Sequence, residues 1–232
     1  MSVTLRTAAV SDRGKVRDNN EDAVYAGARL IAVADGVGGG PSGEIASGIV
    51  IRELAKLEDS AGSLDEAIGA ANQRLREAVR ADADLEGMGT TLTAMLAVKD
   101  GLQLAHIGDS RAYLWRDGRL TQLSRDDTFV QGLVDQGIIS ATEARAHPQR
   151  ALVTQAMHGS AIEPSFAPVT PRAGDRYLLC SDGLSDYVDD DTIERTITSS
   201  DDPEECARAL VDLALAAGAP DNVTVVVAQP DL

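Results

Sequence analysis

Two patterns of apolar and polar residues alternate along the chain and predict a mixture of strands and helices. Alternation over 4–10 predicts a strand, and short apolar runs at 30–34, 176–180 and 223–228 predict buried strands. Apolar positions three and four apart predict helices at 43–57, 64–80, 189–198 and 203–217. Ser63 and Glu66 have the spacing of a capping box at the start of the second helix.

The middle of the chain predicts hairpins followed by a less regular block. Between 90 and 123, strands are joined by Asp-Gly turns at 100–101 and 117–118, which favour antiparallel neighbours. From 126 to about 157 the pattern is helical but irregular, with a break at 147–148. We predict a single α+β domain over 1–232, with antiparallel sheets and helices packed outside them. Residues 126–165, here called the flap segment, are predicted to form a subdomain over a site.

Composition narrows the class of protein. The 232 residues carry 37 acidic and 21 basic side chains, a net charge of −16, which disfavours nucleic acid and anionic membranes as partners. Cys180 and Cys206 are isolated in the sequence, as expected for reduced thiols rather than for a disulfide or a zinc site. Neither a signal peptide nor an apolar run long enough for a membrane span is visible, so we predict a cytoplasmic location.

The candidate chemistry lies at the ends of predicted strands. Asp35, Asp109 and Asp182 follow apolar runs, and Asp221 precedes the last one. Any one such Asp, with Gly beside it, is more often a turn residue than a ligand. If the strand ends meet at one rim, however, the carboxylates repel each other unless they bind cations or take up protons. Oxygen ligands without His or Cys favour Mg²⁺ or Mn²⁺.

A polar segment over 17–22 precedes the first buried strand. Taken alone it is a solvated loop. Beside a cluster of metal-binding carboxylates, Arg17 is a cation that can form two hydrogen bonds with a phosphate. Metal ions together with such an arginine indicate phosphoester hydrolysis by a metal-activated water.

Six segments in chain order resemble the motifs of the metal-dependent Ser/Thr protein phosphatases of type 2C (the PPM family), most closely its bacterial branch. They are SDRG at 11–14 with Arg17 and NED at 20–22, VADGVGG at 33–39, GMGTT at 87–91, HIGDSR at 106–111, LLCSDGL at 178–184 and DNVT at 221–224. The resemblance covers nearly the whole chain. It implies a central β-sandwich of two antiparallel sheets flanked by pairs of helices, a four-layer αββα arrangement with two metals in a cleft at one end.

The resemblance also implies roles for individual residues. Asp35 is expected to bridge two Mn²⁺ or Mg²⁺ ions, the Gly36 carbonyl to bind one, and Asp182 and Asp221 to bind the other. Asp109, with Asp182, corresponds to a third, weaker metal site of bacterial members. Glu21, Asp22 and Asn222 are expected to act through metal-bound waters and by orienting the ligands. Arg17 is expected to hold the substrate phosphate, and no covalent phosphoenzyme is needed.

Three positions depart from the family. Val37 and Gly40 stand where some relatives have a histidine, one of them proposed as the general acid, so we expect the leaving group to be protonated by a metal-associated water. Ala151 stands where some bacterial relatives have a serine that supports the third metal. These differences leave the assignment of the two-metal core unchanged.

Three classes of function follow. The first, which we favour, is a monomeric phosphatase acting on phosphoserine and phosphothreonine in proteins, such as a Ser/Thr kinase, its targets or a phosphoserine regulator. The second is a pseudophosphatase that binds phosphoproteins without turnover. The third is an acidic interaction protein without metal. Sensitivity to a chelator separates the third from the others, and turnover separates the second from the first.

Overall fold

The computed structural model describes residues 3–37 and 42–232. The described strands are β1 (Thr4–Asp12), β2 (Ala23–Ala26), β3 (Leu30–Ala34), β4 (Gly36–Val37), β5 (Gly89–Thr90), β6 (Leu92–Val98), β7 (Gly101–Ile107), β8 (Arg111–Arg116), β9 (Arg119–Gln122), β10 (Ser165–Val169), β11 (Arg176–Cys180) and β12 (Val223–Asp231). The described helices are α1 (Gly43–Ala55), α2 (Leu64–Ala81), α3 (Phe129–Asp135), α4 (Ala141–Arg145), α5 (Asp182–Ser185), α6 (Asp190–Ile197) and α7 (Pro203–Ala216), with a 3₁₀ turn at Ala83–Leu85.

Two antiparallel sheets form the centre of the molecule. One has the strand order β1-β12-β11-β8-β9 and the other β10-β7-β6-β3-β2, with β4 and β5 pairing separately. Both predicted hairpin turns are present. Val98 pairs with Gly101, and Arg116 pairs with Arg119 across Asp117 and Gly118, whose positive φ values suit a tight hairpin.

The alternation of side chains along the strands builds four layers. In β3, Leu30, Ala32 and Ala34 pack with α1 and α2, whereas Ile31 and Val33 face the other sheet. In β11, Leu178 and Cys180 pack with α6 and α7. Tyr177 and Leu179 join the apolar layer between the sheets. Because successive side chains of a strand point to opposite faces, each sheet packs against helices on one side and against the other sheet on the other side. The predicted αββα sandwich is confirmed.

The predicted elements agree closely with the structure, except at the edges of one sheet, in the flap segment and at the short elements β4 and α5, which were not predicted. Ser63 and Glu66 form the predicted capping box of α2. The sequence patterns missed β2 and β10, which are the two edge strands of their sheet. The flap segment contains two short helices, α3 and α4, joined by turns rather than one helical block.

Gly38, Gly39, Gly40 and Pro41, which include part of one family motif and one departure from it, lie outside the described residues. Across 3–37 and 42–232, none of the helices combines the length and the apolar character needed to cross a bilayer.

Candidate metal centre

The ends of the central strands meet at one rim of the sandwich. Cys180, the last residue of β11, pairs with Val225 near the start of β12 and with Arg111 at the start of β8. The Ser181 hydroxyl, just beyond β11, donates a 2.8 Å hydrogen bond to Asp22, just before β2 in the other sheet. This rim therefore gathers the residues that directly follow or precede the core strands.

The predicted carboxylates lie close enough together to influence one another's ionisation. Burial raises the pKa of Asp35 well above its usual value, and the charges of Asp22, Asp182, Asp109 and Asp221 raise it further. The pKa of Asp182 is raised well above its usual value in the same way, by burial and by the neighbouring carboxylates. The structure thus brings the four strand-end aspartates and Asp22 into one cluster.

Asp22 provides a direct test of whether a cation fits this cluster. Its Oδ2 accepts the hydrogen bond from Ser181, but its Oδ1 is buried and has no hydrogen-bond partner among the described atoms. Burial raises the pKa of Asp22 to about 6, against the lowering effect of the hydrogen bond from Ser181. A buried carboxylate oxygen without a partner is costly, and a hard divalent cation or its hydration shell satisfies such an oxygen. The donor set fits the expected metal.

The Asp35-Gly36 turn is held by its backbone. The Asp35 N–H donates to the Thr91 hydroxyl at 3.0 Å, and the Asp35 carbonyl accepts from the Thr91 N–H at 2.8 Å. The Gly36 N–H donates to the Glu21 carbonyl at 3.2 Å. A Cβ at residue 36 would overlap the backbone of Gly43, so only glycine allows this close approach. The turn fixes where the Asp35 carboxylate and the Gly36 carbonyl stand.

Asn222 connects the last strand to the loop that carries Arg17. Its Oδ1 accepts from the Glu21 N–H at 2.8 Å, and its Nδ2 donates to the carbonyls of Arg13 and Asn19, each at 2.9 Å. Asn222 is 5% exposed, so these three bonds are shielded from water. In this structure Asn222 orients the loop of 13–21 beside Asp221.

Arg17 contacts one of the predicted metal ligands. Its Nη2 lies 2.7 Å from Asp221 Oδ2, and both side chains are partly exposed. In the described part of the chain, no three acidic, His or Cys side chains are already gathered closely enough to enclose a single ion. Arg17 thus engages one of the carboxylates expected to bind the second ion, Asp221.

Asp109 faces a cavity beneath the flap segment. The cavity measures about 180 Å³ and is lined by Asp109 and Asp182 on one side and by residues of α3 and α4 on the other. Asp109 is 8% exposed, and burial raises its pKa to about 7. Ala151 is exposed and does not line this cavity. Val37 is half-buried and pairs with Gly89.

Sequence reasoning missed two residues that support the centre. Thr91 binds the Asp35 backbone, and Ser181 binds Asp22 across the two sheets. Both belong to motif segments of the chain, at 87–91 and 178–184. Ser181 adjoins the candidate ligand Asp182, which was an available signal, whereas Thr91 adjoins none. The partners of both depend on how the chain folds.

Comparison with known proteins identifies the family and relatives of this chain. Residues 13–214 match the family model of protein phosphatase 2C. The chain is 55% identical over 237 residues to the serine/threonine protein phosphatase PstP of Mycobacterium tuberculosis, covering 99% of this chain and 46% of that protein. The chain therefore spans about half the length of this curated relative.

Solved structures give the same result. The crystal structure of M. tuberculosis PstP/Ppp superposes with a TM-score of 0.94 at 56% identity, covering 97% of this chain and 98% of that one. The catalytic domain of PstP in complex with two manganese ions superposes with a TM-score of 0.92 at 53% identity, covering 98% and 99%. The PPM phosphatase MsPP of Mycobacterium smegmatis, in complex with cacodylate, gives 0.89 at 39% identity, covering 97% and 98%.

The fold is that of the phosphatase structures with which the chain superposes. This chain belongs to the protein phosphatase 2C family.

Proposed function

We propose that this chain is a phosphoprotein phosphatase that hydrolyses phosphoserine and phosphothreonine and uses two Mn²⁺ or Mg²⁺ ions. The observation that carries the proposal is the cluster of five carboxylates, in which a buried oxygen of Asp22 lacks a partner among the described atoms. The relatives named serine/threonine phosphatases, and the manganese complex of PstP, support the same reading.

We assign the metal ions to Asp35, the Gly36 carbonyl, Asp182 and Asp221, with Asp109 and Asp182 at a third, weaker position. Bound there, the cations would activate a water for attack on phosphorus and offset the charge that develops on the phosphoryl oxygens. Asp22 and Glu21 would orient the waters bound to these ions. Asn222 holds the loop of Glu21 in place by accepting a hydrogen bond from the Glu21 N–H.

The chain's own residues would then orient the substrate. Arg17 would form two charge-assisted hydrogen bonds with the phosphate, which aligns the phosphorus with the attacking water. Cys180 is fully buried and its pKa is raised by burial to about 12, so it is unsuited to act as a nucleophile. Direct hydrolysis without a covalent phosphoenzyme fits this arrangement.

The proposal also covers how the chain is organised around the cleft. We infer that 1–232 act as one catalytic unit, because the apolar layer between the sheets draws residues from both. The flap segment would close one side of the cleft, since α3 and α4 line the cavity beside Asp109. A cytoplasmic location, a role in signalling and a monomeric state are part of this hypothesis.

Hydrolysis of an aryl phosphate and of a phosphothreonine peptide tests the proposal, each with Mn²⁺, with Mg²⁺ and with EDTA. We expect phosphate release that needs metal and is abolished by Asp182→Asn. Metal binding without turnover would indicate the pseudophosphatase instead. Absence of metal binding would show that the carboxylate cluster serves no metal centre and would leave the acidic interaction protein.

A further inference from the structure

Residues 13–17, here called the basic turn, form an exposed turn beside Asp221. Arg13, Lys15 and Arg17 are all exposed and supply three of the 21 basic residues within five positions. The whole chain carries a net charge of −16. An anionic peptide approaching this molecule is therefore repelled by most of its surface, and the basic turn offers local attraction next to the candidate metal centre.

The backbone of the basic turn is anchored. The Gly14 N–H donates to Asp12 Oδ1 at 2.7 Å, and the Lys15 N–H donates to the Ala219 carbonyl at 2.9 Å. Gly14 has a φ of +75°, and a Cβ there would overlap the Asp221 carbonyl oxygen. The turn and the Asp221 loop thus pack directly together. The backbone from which the side chains of the turn extend is therefore fixed relative to the candidate metal centre.

The three cations of the turn differ in how they are engaged. Arg17 pairs with Asp221, and Arg13 folds back to donate to the Asp18 carbonyl at 3.1 Å. Lys15 forms no ion pair with any residue that the structure describes. Next to it, Val16 is 68% exposed and gives an apolar surface at the tip of the turn. Arg13 likewise forms no ion pair within the described residues, but its guanidinium is engaged by the Asp18 carbonyl, so Lys15 is the cation of this turn whose side chain has no hydrogen-bond partner among the described residues.

The opposite side of the cleft is different, because its arginines are neutralised. Around the cavity under the flap segment, three arginines each pair with an aspartate: Arg111 with Asp126 at 2.6 Å, Arg145 with Asp190 at 3.2 Å and Arg150 with Asp186 at 3.3 Å. A paired cation attracts a further anion weakly, since its field is partly cancelled at short range, and this applies to Arg17 as long as it stays on Asp221. Recognition of an acidic substrate is thus expected at the basic turn rather than at the flap segment.

We propose that Lys15 determines substrate preference by contacting an acidic side chain close to the phosphorylated residue, while Arg17 holds the phosphate. The substrates favoured by this chain are phosphopeptides with Asp or Glu beside the phosphoserine or phosphothreonine. This inference rests on the proposed function and names its substrate class. Lys15 acts on specificity and takes no part in the reaction at phosphorus.

The test compares three substrates in the presence of Mn²⁺. Two phosphothreonine peptides of equal length carry either Glu or Gln on both sides of the phosphothreonine, and the third substrate is an aryl phosphate. The variants are Lys15→Gln and Lys15→Glu, with Lys99→Gln as the matched control. Lys99 is exposed in the turn between β6 and β7, at the end of those strands remote from Asp109, so it loses the same charge away from the cleft.

We expect the wild-type protein to prefer the Glu peptide, with a preference that shrinks as salt is added. Lys15→Gln is expected to lower kcat/KM for the Glu peptide by about two- to fivefold, mainly through KM, as for other exposed charge pairs. Lys15→Glu is expected to lower it further. Lys15→Gln and Lys99→Gln are expected to leave the Gln peptide and the aryl phosphate unchanged.

Other results would contradict either the role of Lys15 alone or the proposed function as well. A wild-type protein that does not prefer the Glu peptide, or a Lys15→Gln variant that loses activity equally on all three substrates, would overturn the role of Lys15 while the proposed function stands. Absence of metal-dependent hydrolysis of every substrate by the wild-type protein would overturn the proposed function and this inference with it.

Discussion

Arg17 and Asp221 show how a single contact can link two assigned roles. The 2.7 Å ion pair places the candidate phosphate-binding cation on a candidate metal ligand. Arginine pairs well with both carboxylate and phosphate because its guanidinium offers a planar set of donors. A guanidinium that moves from the carboxylate to the substrate would serve both partners in turn.

Substitution of Arg17 by Ala is therefore expected to affect phosphate recognition more than metal binding. We expect KM for a phosphothreonine peptide to rise about tenfold or more, since hydrogen bonds to charged groups contribute about 1.5–3 kcal/mol. Mn²⁺ affinity should not fall comparably, because loss of Arg17 releases the Asp221 carboxylate. Steady-state kinetics and calorimetric Mn²⁺ titration measure the two effects. Arg17→Lys, which keeps the charge without the planar donor set, should give an intermediate KM, whereas lost Mn²⁺ binding at unchanged KM would contradict the phosphate role.

The positions of the candidate ligands could be predicted from the sequence, but their supporting contacts could not. Asp35, Asp182 and Asp221 adjoin apolar runs, and the ends of paired strands share a rim. The hydrogen bond of Ser181 to Asp22 joins residues 159 positions apart, and that of Asn222 to Glu21 joins residues 201 apart. Such contacts depend on how two sheets pack, and nothing in local pattern encodes that packing.

At the scale of elements, the short helix α5 packs against the loop before β12. A Cβ on Gly183 would overlap the Asn222 carbonyl oxygen, so the first turn of α5 lies directly on that loop. This contact sets the position of Asp182, at the start of α5, relative to Asp221. The two carboxylates come together because a glycine follows the first and permits the approach.

Gly183→Ala should therefore lower both stability and metal affinity. Overlap with backbone cannot be relieved by a side-chain rotation, and we expect a loss of about 3 kcal/mol in the free energy of unfolding, with weaker Mn²⁺ binding. Gly69→Ala is the matched control, because Gly69 lies in the middle of α2 and a methyl group added there would meet no atom within 4 Å. The free energy of unfolding of that variant should rise by about 1 kcal/mol, because alanine has a higher helix propensity than glycine. Denaturant unfolding checks both, and equal effects would contradict the packing argument.

The two edge strands that sequence patterns missed share a physical cause. β10 has an exposed or half-buried residue at every position and contains Pro168, and β2 has no fully buried residue. Both are edge strands, so one side of each lacks a neighbour and the apolar alternation that marks a strand is weak. The buried strands β3 and β11 match their predicted bounds, since burial on both faces demands continuous apolar runs.

For the whole molecule, folding concentrates negative charge at one rim of an already acidic protein. Burial raises the pKa of Asp22 to about 6 and of Asp109 to about 7, so the folded chain holds protons that the unfolded chain has released. The unfolded carboxyls lose their protons near pH 4. Between that pH and the raised folded values, the folded state binds more protons, and its stability falls as pH rises.

The metal-free protein should therefore unfold more easily at neutral pH than at mildly acidic pH. In EDTA we expect the melting temperature to drop by about 5 °C or more between about pH 5 and about pH 8, and Mn²⁺ to restore it at the higher pH by binding the folded state. General repulsion from the net charge of −16 acts in the same direction, so two variants that each remove one charge separate the causes. Asp109→Asn should flatten the pH dependence, because its carboxyl lies in the cluster, whereas Asp18→Asn, at an exposed position, should not. A melting temperature in EDTA that rises over this range, or equal slopes for both variants, would show that the buried carboxylates do not hold protons in the folded protein.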